Sequence, residues 1–113
     1  MEEAAYSMNK VVYTKGRTGM TFSEMIQGEN GLLVKLRLEN NFDEKIYREI
    51  KNYLTVHSEE WKKKGVMPIK DAVAVFDLVD SLSGGCIYWN DDVKNRVEYA
   101  LMEVQDIIHT LEL

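Results

Sequence analysis

Apolar side chains recur every three or four residues over most of the C-terminal two thirds of this chain, the spacing of amphipathic helices. In segment 42–64 this stripe is formed by Phe42, Ile46, Ile50, Tyr53, Leu54, His57 and Trp61. In segment 91–112 it is formed by Val93, Val97, Ala100, Val104, Ile107 and Leu111. Segment 68–83 is apolar on nearly all sides, which is typical of a helix inside a bundle or under an interface. We therefore predict a mainly α fold, a helical bundle with three long helices at about 42–64, 68–83 and 91–112.

Local signals give the ends of these helices. Asn41 and Glu44 have the spacing of a capping box at the first helix start, and Gly65 follows three lysines at its end. Pro68, the only proline, fits the first turn of the second helix, which Gly84-Gly85 would end. Asn90 or Asp91 would cap the third helix.

The N-terminal part gives weaker signals. Thr21 and Glu24 have capping-box spacing, which predicts a short helix from about residue 22 to residue 27. Apolar and polar residues alternate over 32–38, which favours a half-buried strand, with a short helix as the alternative. Residues 10–14 (KVVYT) could form another strand, so an α+β fold is possible, and residues 1–9 could be disordered.

Length and charge narrow the class of protein. The chain has 113 residues, which is the size of one domain spanning 1–113. Its single cysteine and the lack of a signal-peptide pattern indicate a cytoplasmic protein without disulfides or a membrane span. The net charge is −5, but residues 1–64 carry 11 Lys/Arg against 10 Asp/Glu, whereas residues 65–113 carry 3 against 9. The C-terminal half therefore favours basic partners and repels nucleic acid.

The segment LSGGCIYWNDDVKN (82–95) combines the only cysteine with two adjacent aromatic and two adjacent acidic residues. Most of it is explained by one helix ending and another beginning. Tyr88 and Trp89 lie between helices rather than on an apolar stripe, so they are candidates for an aromatic anchor that binds a partner. Asp91 and Asp92 would form the charged rim beside it.

Two pairs of carboxylates suggest an alternative. Asp77 and Asp80 share a face of one predicted helix, and Glu103 and Asp106 share a face of the next. Oxygen ligands from two such pairs could bind magnesium. The pattern is similar to the E-x-x-E and E-x-x-D motifs of the all-α nucleotide pyrophosphatases (MazG-like), and this resemblance implies a magnesium-dependent hydrolase. The chain departs from it by having aspartates in the first pair and no richly acidic first helix.

A nucleic-acid-associated regulator is the other alternative. Its candidate basic surface comprises Lys10, Lys15, Arg17, Lys35, Arg37 and Lys62 to Lys64. Interleaved acids and the acidic C-terminal half argue against it. We therefore predict a small acidic binding module without catalytic residues, metal or cofactor, and expect it to be a homodimer. It would dock on a basic surface of another protein as an inhibitor, immunity factor, antagonist or adaptor.

Overall fold

A computed structural model describes residues 19–86 and 88–111. Five helices make up most of this part of the chain, and they are α1 (Phe22–Gln27), α2 (Leu32–Glu39), α3 (Glu44–Lys64), α4 (Ile69–Gly84) and α5 (Asp91–His109). The predicted helical bundle is confirmed, and the three long helices begin and end within three residues of the expected positions. The predicted strand at 10–14 and the predicted disorder at 1–9 lie outside the described residues.

Helix α1 begins with the capping box that the sequence predicts. The Thr21 hydroxyl accepts a hydrogen bond from the Glu24 N–H at 3.2 Å. The Glu24 carboxylate accepts a hydrogen bond from the Thr21 N–H at 2.9 Å. The capping box predicted at the start of α3 is wrong. Asp43 is the capping residue there, and its carboxylate accepts from the N–H of Ile46 at 3.1 Å.

The strand predicted over residues 32–38 is wrong, because this segment is helix α2. Leu32, Leu33 and Leu36 are buried, while Leu38 is 73% exposed, so the buried positions follow the helical period. Leucine has a high helix propensity and is an indifferent strand former. The entry into α2 is also tight, since a Cβ added at Gly31 would lie 2.6 Å from the Glu24 carbonyl oxygen.

The core lies where α1 is enclosed by the longer helices. Helix α1 packs against α2, α3 and α4, while α5 packs against α3 and α4. Ile26 of α1, Ile50 of α3, Leu78 of α4 and Val104 of α5 are each completely buried. Of the helices described, none is both long enough and apolar enough to cross a membrane.

Candidate protein-contact surface

The described residues between α4 and α5 make specific local contacts. Helix α4 ends at Gly84, and Gly85 follows with a φ of 72°, a value that favours glycine. The N–H of Trp89 donates to the carbonyl oxygen of Cys86 at 3.2 Å. Asn90 then caps α5, because its side-chain oxygen accepts from the N–H of Val93 at 2.9 Å. The capping role predicted for Asn90 or Asp91 is therefore filled by Asn90.

Trp89 faces the body of the protein. Its side chain is half-buried and packs against the core, and its indole Nε1–H donates to the carbonyl oxygen of Leu36 at 3.2 Å. Leu36 belongs to the last four residues of α2, whose carbonyls lack partners within their own helix. Trp89 therefore joins the α4–α5 connection to the end of α2.

Tyr88 and the two aspartates are exposed to solvent. The Tyr88 side chain is 77% exposed, and Asp91 and Asp92 are exposed in the first turn of α5. Carboxylates in this turn also interact favourably with the positive end of the helix dipole. Of the four residues predicted to bind a partner, Tyr88, Asp91 and Asp92 are thus exposed, whereas Trp89 is half-buried.

The outward face of α5 extends this surface. Glu98, Met102 and Asp106 follow Asp91 at helical spacing and are all exposed. Met102 is 62% exposed and the neighbouring Tyr99 is 59% exposed. Sequence reasoning missed Tyr99 and Met102 because it followed the buried stripe of α5. Their position among acidic residues on the opposite side of the helix was the available signal.

The four carboxylates considered for magnesium do not form a site. In the part of the chain that the structure describes, no group of three or more His, Cys, Asp or Glu side chains could hold a metal ion. Asp77 instead accepts a hydrogen bond from the Gln27 amide, and Asp80 and Asp106 are exposed. In this structure the side chains of Asp77, Asp80, Glu103 and Asp106 are therefore not grouped around a common metal position.

Glu103 joins α5 to α3. Its carboxylate accepts from the Tyr47 hydroxyl at 2.8 Å and from the Lys51 ammonium at 3.0 Å. Burial alone would raise the pKa of Glu103, but these two hydrogen bonds together with the positive charges of Lys51 and Arg96 lower the pKa below its ordinary value. The pKa of Tyr47 is raised, first by burial and then by its hydrogen bond to Glu103. Both pKa shifts favour a protonated Tyr47 beside an ionised Glu103.

Arg96 makes a second link between the same helices. Its Nε and Nη2 atoms donate to the Glu44 carboxylate at 2.6 and 2.9 Å. This two-point contact lowers the pKa of Glu44. The guanidinium carbon also lies 4.8 Å from the Phe42 ring centroid and 5.1 Å from that of Tyr47. Every charged group in this cluster has a charged partner, so the cluster is a structural tie between helices.

The chain matches no protein-family model, no curated protein and no solved structure.

The basic side chains proposed for nucleic-acid binding are partly neutralised. Lys35 pairs with Asp43 at 2.8 Å, and Lys64 pairs with Glu60 at 2.9 Å. Arg37, Lys62 and Lys63 are exposed, while Lys10, Lys15 and Arg17 lie outside the described residues. Among the surfaces described, the exposed Tyr88 with its acidic neighbours remains the best candidate for a contact with another macromolecule.

Proposed function

We propose that the protein is a cytoplasmic, non-catalytic binding module that docks on a basic surface of another protein, acting as a homodimer. Its role would be that of an inhibitor, immunity factor, antagonist or adaptor. The observation that carries the proposal is the contrast between two adjacent aromatic residues. Trp89 is held inward by a hydrogen bond to α2, while Tyr88 is 77% exposed beside Asp91 and Asp92.

Tyr88 is a suitable anchor because the residues that follow it are held by specific contacts. Binding costs free energy when mobile side chains and loops must be ordered, and a preformed surface reduces that cost. The Trp89 contacts and the Asn90 cap hold the backbone that follows Tyr88. Tyrosine is also enriched among residues that dominate binding energy, since it offers an apolar ring and a hydroxyl.

The charges around Tyr88 favour a basic partner. Asp91, Asp92, Glu98 and Asp106 are exposed on α5, and Tyr99 and Met102 lie among them. Acidic side chains at the edge of a contact steer a positively charged partner and raise the association rate. An interface with aromatic and methionine side chains at its centre and charges around it has the usual composition of a protein–protein contact.

The two alternatives have less support. A magnesium-dependent hydrolase needs grouped oxygen ligands, and the carboxylates available for that site are apart or occupied by protein partners. A nucleic-acid binder needs a continuous basic surface, whereas Lys35 and Lys64 pair with neighbouring carboxylates.

The test compares two exposed side chains of similar accessibility. Full-length wild type, Tyr88→Ala and the control Val56→Ala (Val56 is 68% exposed on α3) would each be immobilised and exposed to extract from the source organism. A protein retained by wild type and by Val56→Ala, but not by Tyr88→Ala, would then be purified and its affinity measured. We expect Tyr88→Ala to weaken binding by roughly 2 kcal/mol or more, the size of a typical hot spot.

Charge provides the second measurement. Replacing Asp91 and Asp92 by asparagine should slow association with the same purified partner, and the difference should shrink at high salt because charges are screened. Equal binding by wild type and Tyr88→Ala, with both proteins equally folded, would refute the assigned surface.

A further inference from the structure

Helix α4 has an outer face that is apolar and uncovered in the described part of the chain. Ile69 is 82% exposed, Val73 is 50% exposed and Phe76 is 69% exposed. These residues recur at intervals of four and three, so they form one ridge along about two turns of the helix. Large apolar patches of this kind usually mark interaction sites.

An apolar groove runs directly beside this ridge. It has a volume of about 330 Å³ and lies between α4 and the C-terminal end of α5, with Trp61 of α3 also lining it. Ala72, Val75, Phe76 and Val79 form the α4 wall. Phe76 therefore belongs both to the ridge and to the edge of the groove.

We infer that this face is the interface between two copies of the chain, related by a two-fold axis with their α4 helices antiparallel. A two-fold interface uses the same patch on both protomers, so the patch must complement itself. A ridge beside a groove meets that requirement, because each Phe76 can enter the groove of the other protomer. This interface rests on the homodimer of the proposed function, and variants of Phe76 and of Tyr88 test the dimer interface and partner binding separately.

The charges at the two ends of α4 also fit an antiparallel pair. Lys70 is exposed near the start of α4, and Asp80 is exposed near its end. In an antiparallel pair, the Lys70 end of α4 in each protomer lies beside the Asp80 end of α4 in its partner. The two-fold axis therefore produces this pairing of opposite charges at both ends of the contact. A parallel pair would instead place like charges together, which is unfavourable.

The size of the contact sets the expected strength. Helix α4 has 16 residues and is about 24 Å long, so pairing along it gives a contact near the low end of specific interfaces. We therefore expect a dissociation constant on the order of 1–50 µM.

The test is sedimentation equilibrium of the full-length protein from about 1 to 200 µM, which spans the expected dissociation constant. Wild type should change from the 13.1 kDa monomer to a species of twice that mass. Phe76→Glu should weaken the dimer at least thirtyfold, which corresponds to a 2 kcal/mol hot spot. Val56→Glu is the matched control, because Val56 is 68% exposed on another helix. Far-ultraviolet circular dichroism would verify that each variant is folded, and Ile69→Glu would replace Phe76→Glu if that variant is not.

A charge exchange tests the orientation. Lys70→Glu and Asp80→Lys should each weaken the dimer several-fold, and the double variant should recover most of that loss. A monomer at every concentration would overturn the inference, including the case in which residues 1–18 of the same chain cover the groove. A dimer that Phe76→Glu and Ile69→Glu leave intact would also overturn it, and a double variant without recovery would overturn the antiparallel arrangement.

Discussion

Replacing Trp89 by alanine should destabilise the protein, whereas replacing its neighbour Tyr88 should not. Replacing a fully buried tryptophan by alanine lowers the free energy of unfolding by about 3–5 kcal/mol. Trp89 is half-buried, so the loss of its packing should cost about 2 kcal/mol. The lost hydrogen bond to the Leu36 carbonyl adds about 0.5–1 kcal/mol. The total is about 2.5–3 kcal/mol. Tyr88→Ala, at an exposed position, should change stability by less than about 0.5 kcal/mol.

Urea unfolding followed by circular dichroism would measure both changes. For a domain of this size, m is about 1–1.5 kcal/mol per molar urea, so the Trp89→Ala midpoint should fall by roughly 2 M. Trp89→Phe keeps an aromatic ring but removes the hydrogen-bond donor, so its urea midpoint should lie between those of wild type and Trp89→Ala. If Trp89→Ala cost less than about 1 kcal/mol, or if Tyr88→Ala cost as much, Trp89 would not be the residue that fixes the connection.

Two further predictions concern stability alone. Thr21→Ala removes one half of the α1 capping box and should lower the free energy of unfolding by about 1 kcal/mol, measured by the same urea titration, whereas Thr21→Ser should retain most of it. The pKa values of Glu44 and Glu103 are lowered in the folded protein, so the stability they contribute is present at neutral pH and is lost as the pH falls through their folded-state values. The urea midpoint should therefore decrease below about pH 4, and Glu103→Gln should reduce that decrease; an unchanged pH dependence in this variant would contradict the assignment.

The long helices could be predicted because the periodicity of their apolar residues agrees with the capping and glycine residues at their ends. In α5, the buried residues Val97, Ala100 and Val104 lie on the stripe read from the sequence. Gly65 follows α3 with a φ of 72°, the left-handed conformation expected after a helix. Periodicity and end signals are local, so they do not depend on knowing how the helices are arranged.

The sequence predictions were wrong or incomplete for features that depend on how the helices pack against one another. Alternation over residues 32–38 does not show that Leu33 is buried against the core, and this burial follows from packing α2 next to α1. Spacing likewise places Glu103 on a helix face, but it does not reveal that Tyr47 and Lys51 lie opposite and donate hydrogen bonds to its carboxylate. Tyr88 and Trp89 were both candidates for the anchor, and the sequence does not show that the Trp89 indole donates a hydrogen bond to the Leu36 carbonyl.

The two proposed contact surfaces are compatible on one molecule. The groove beside α4 is lined by Ile107 and Ile108 near the C-terminal end of α5, whereas Asp91 lies at the other end of that 19-residue helix. A helix of this length spans about 28 Å, so the groove and Asp91 lie at opposite ends of α5. A dimer paired along α4 would present two identical surfaces and could bind a partner with two sites more tightly than one protomer does. Binding at a single site needs only one protomer, so loss of the dimer and loss of the Tyr88 contact would be distinguishable.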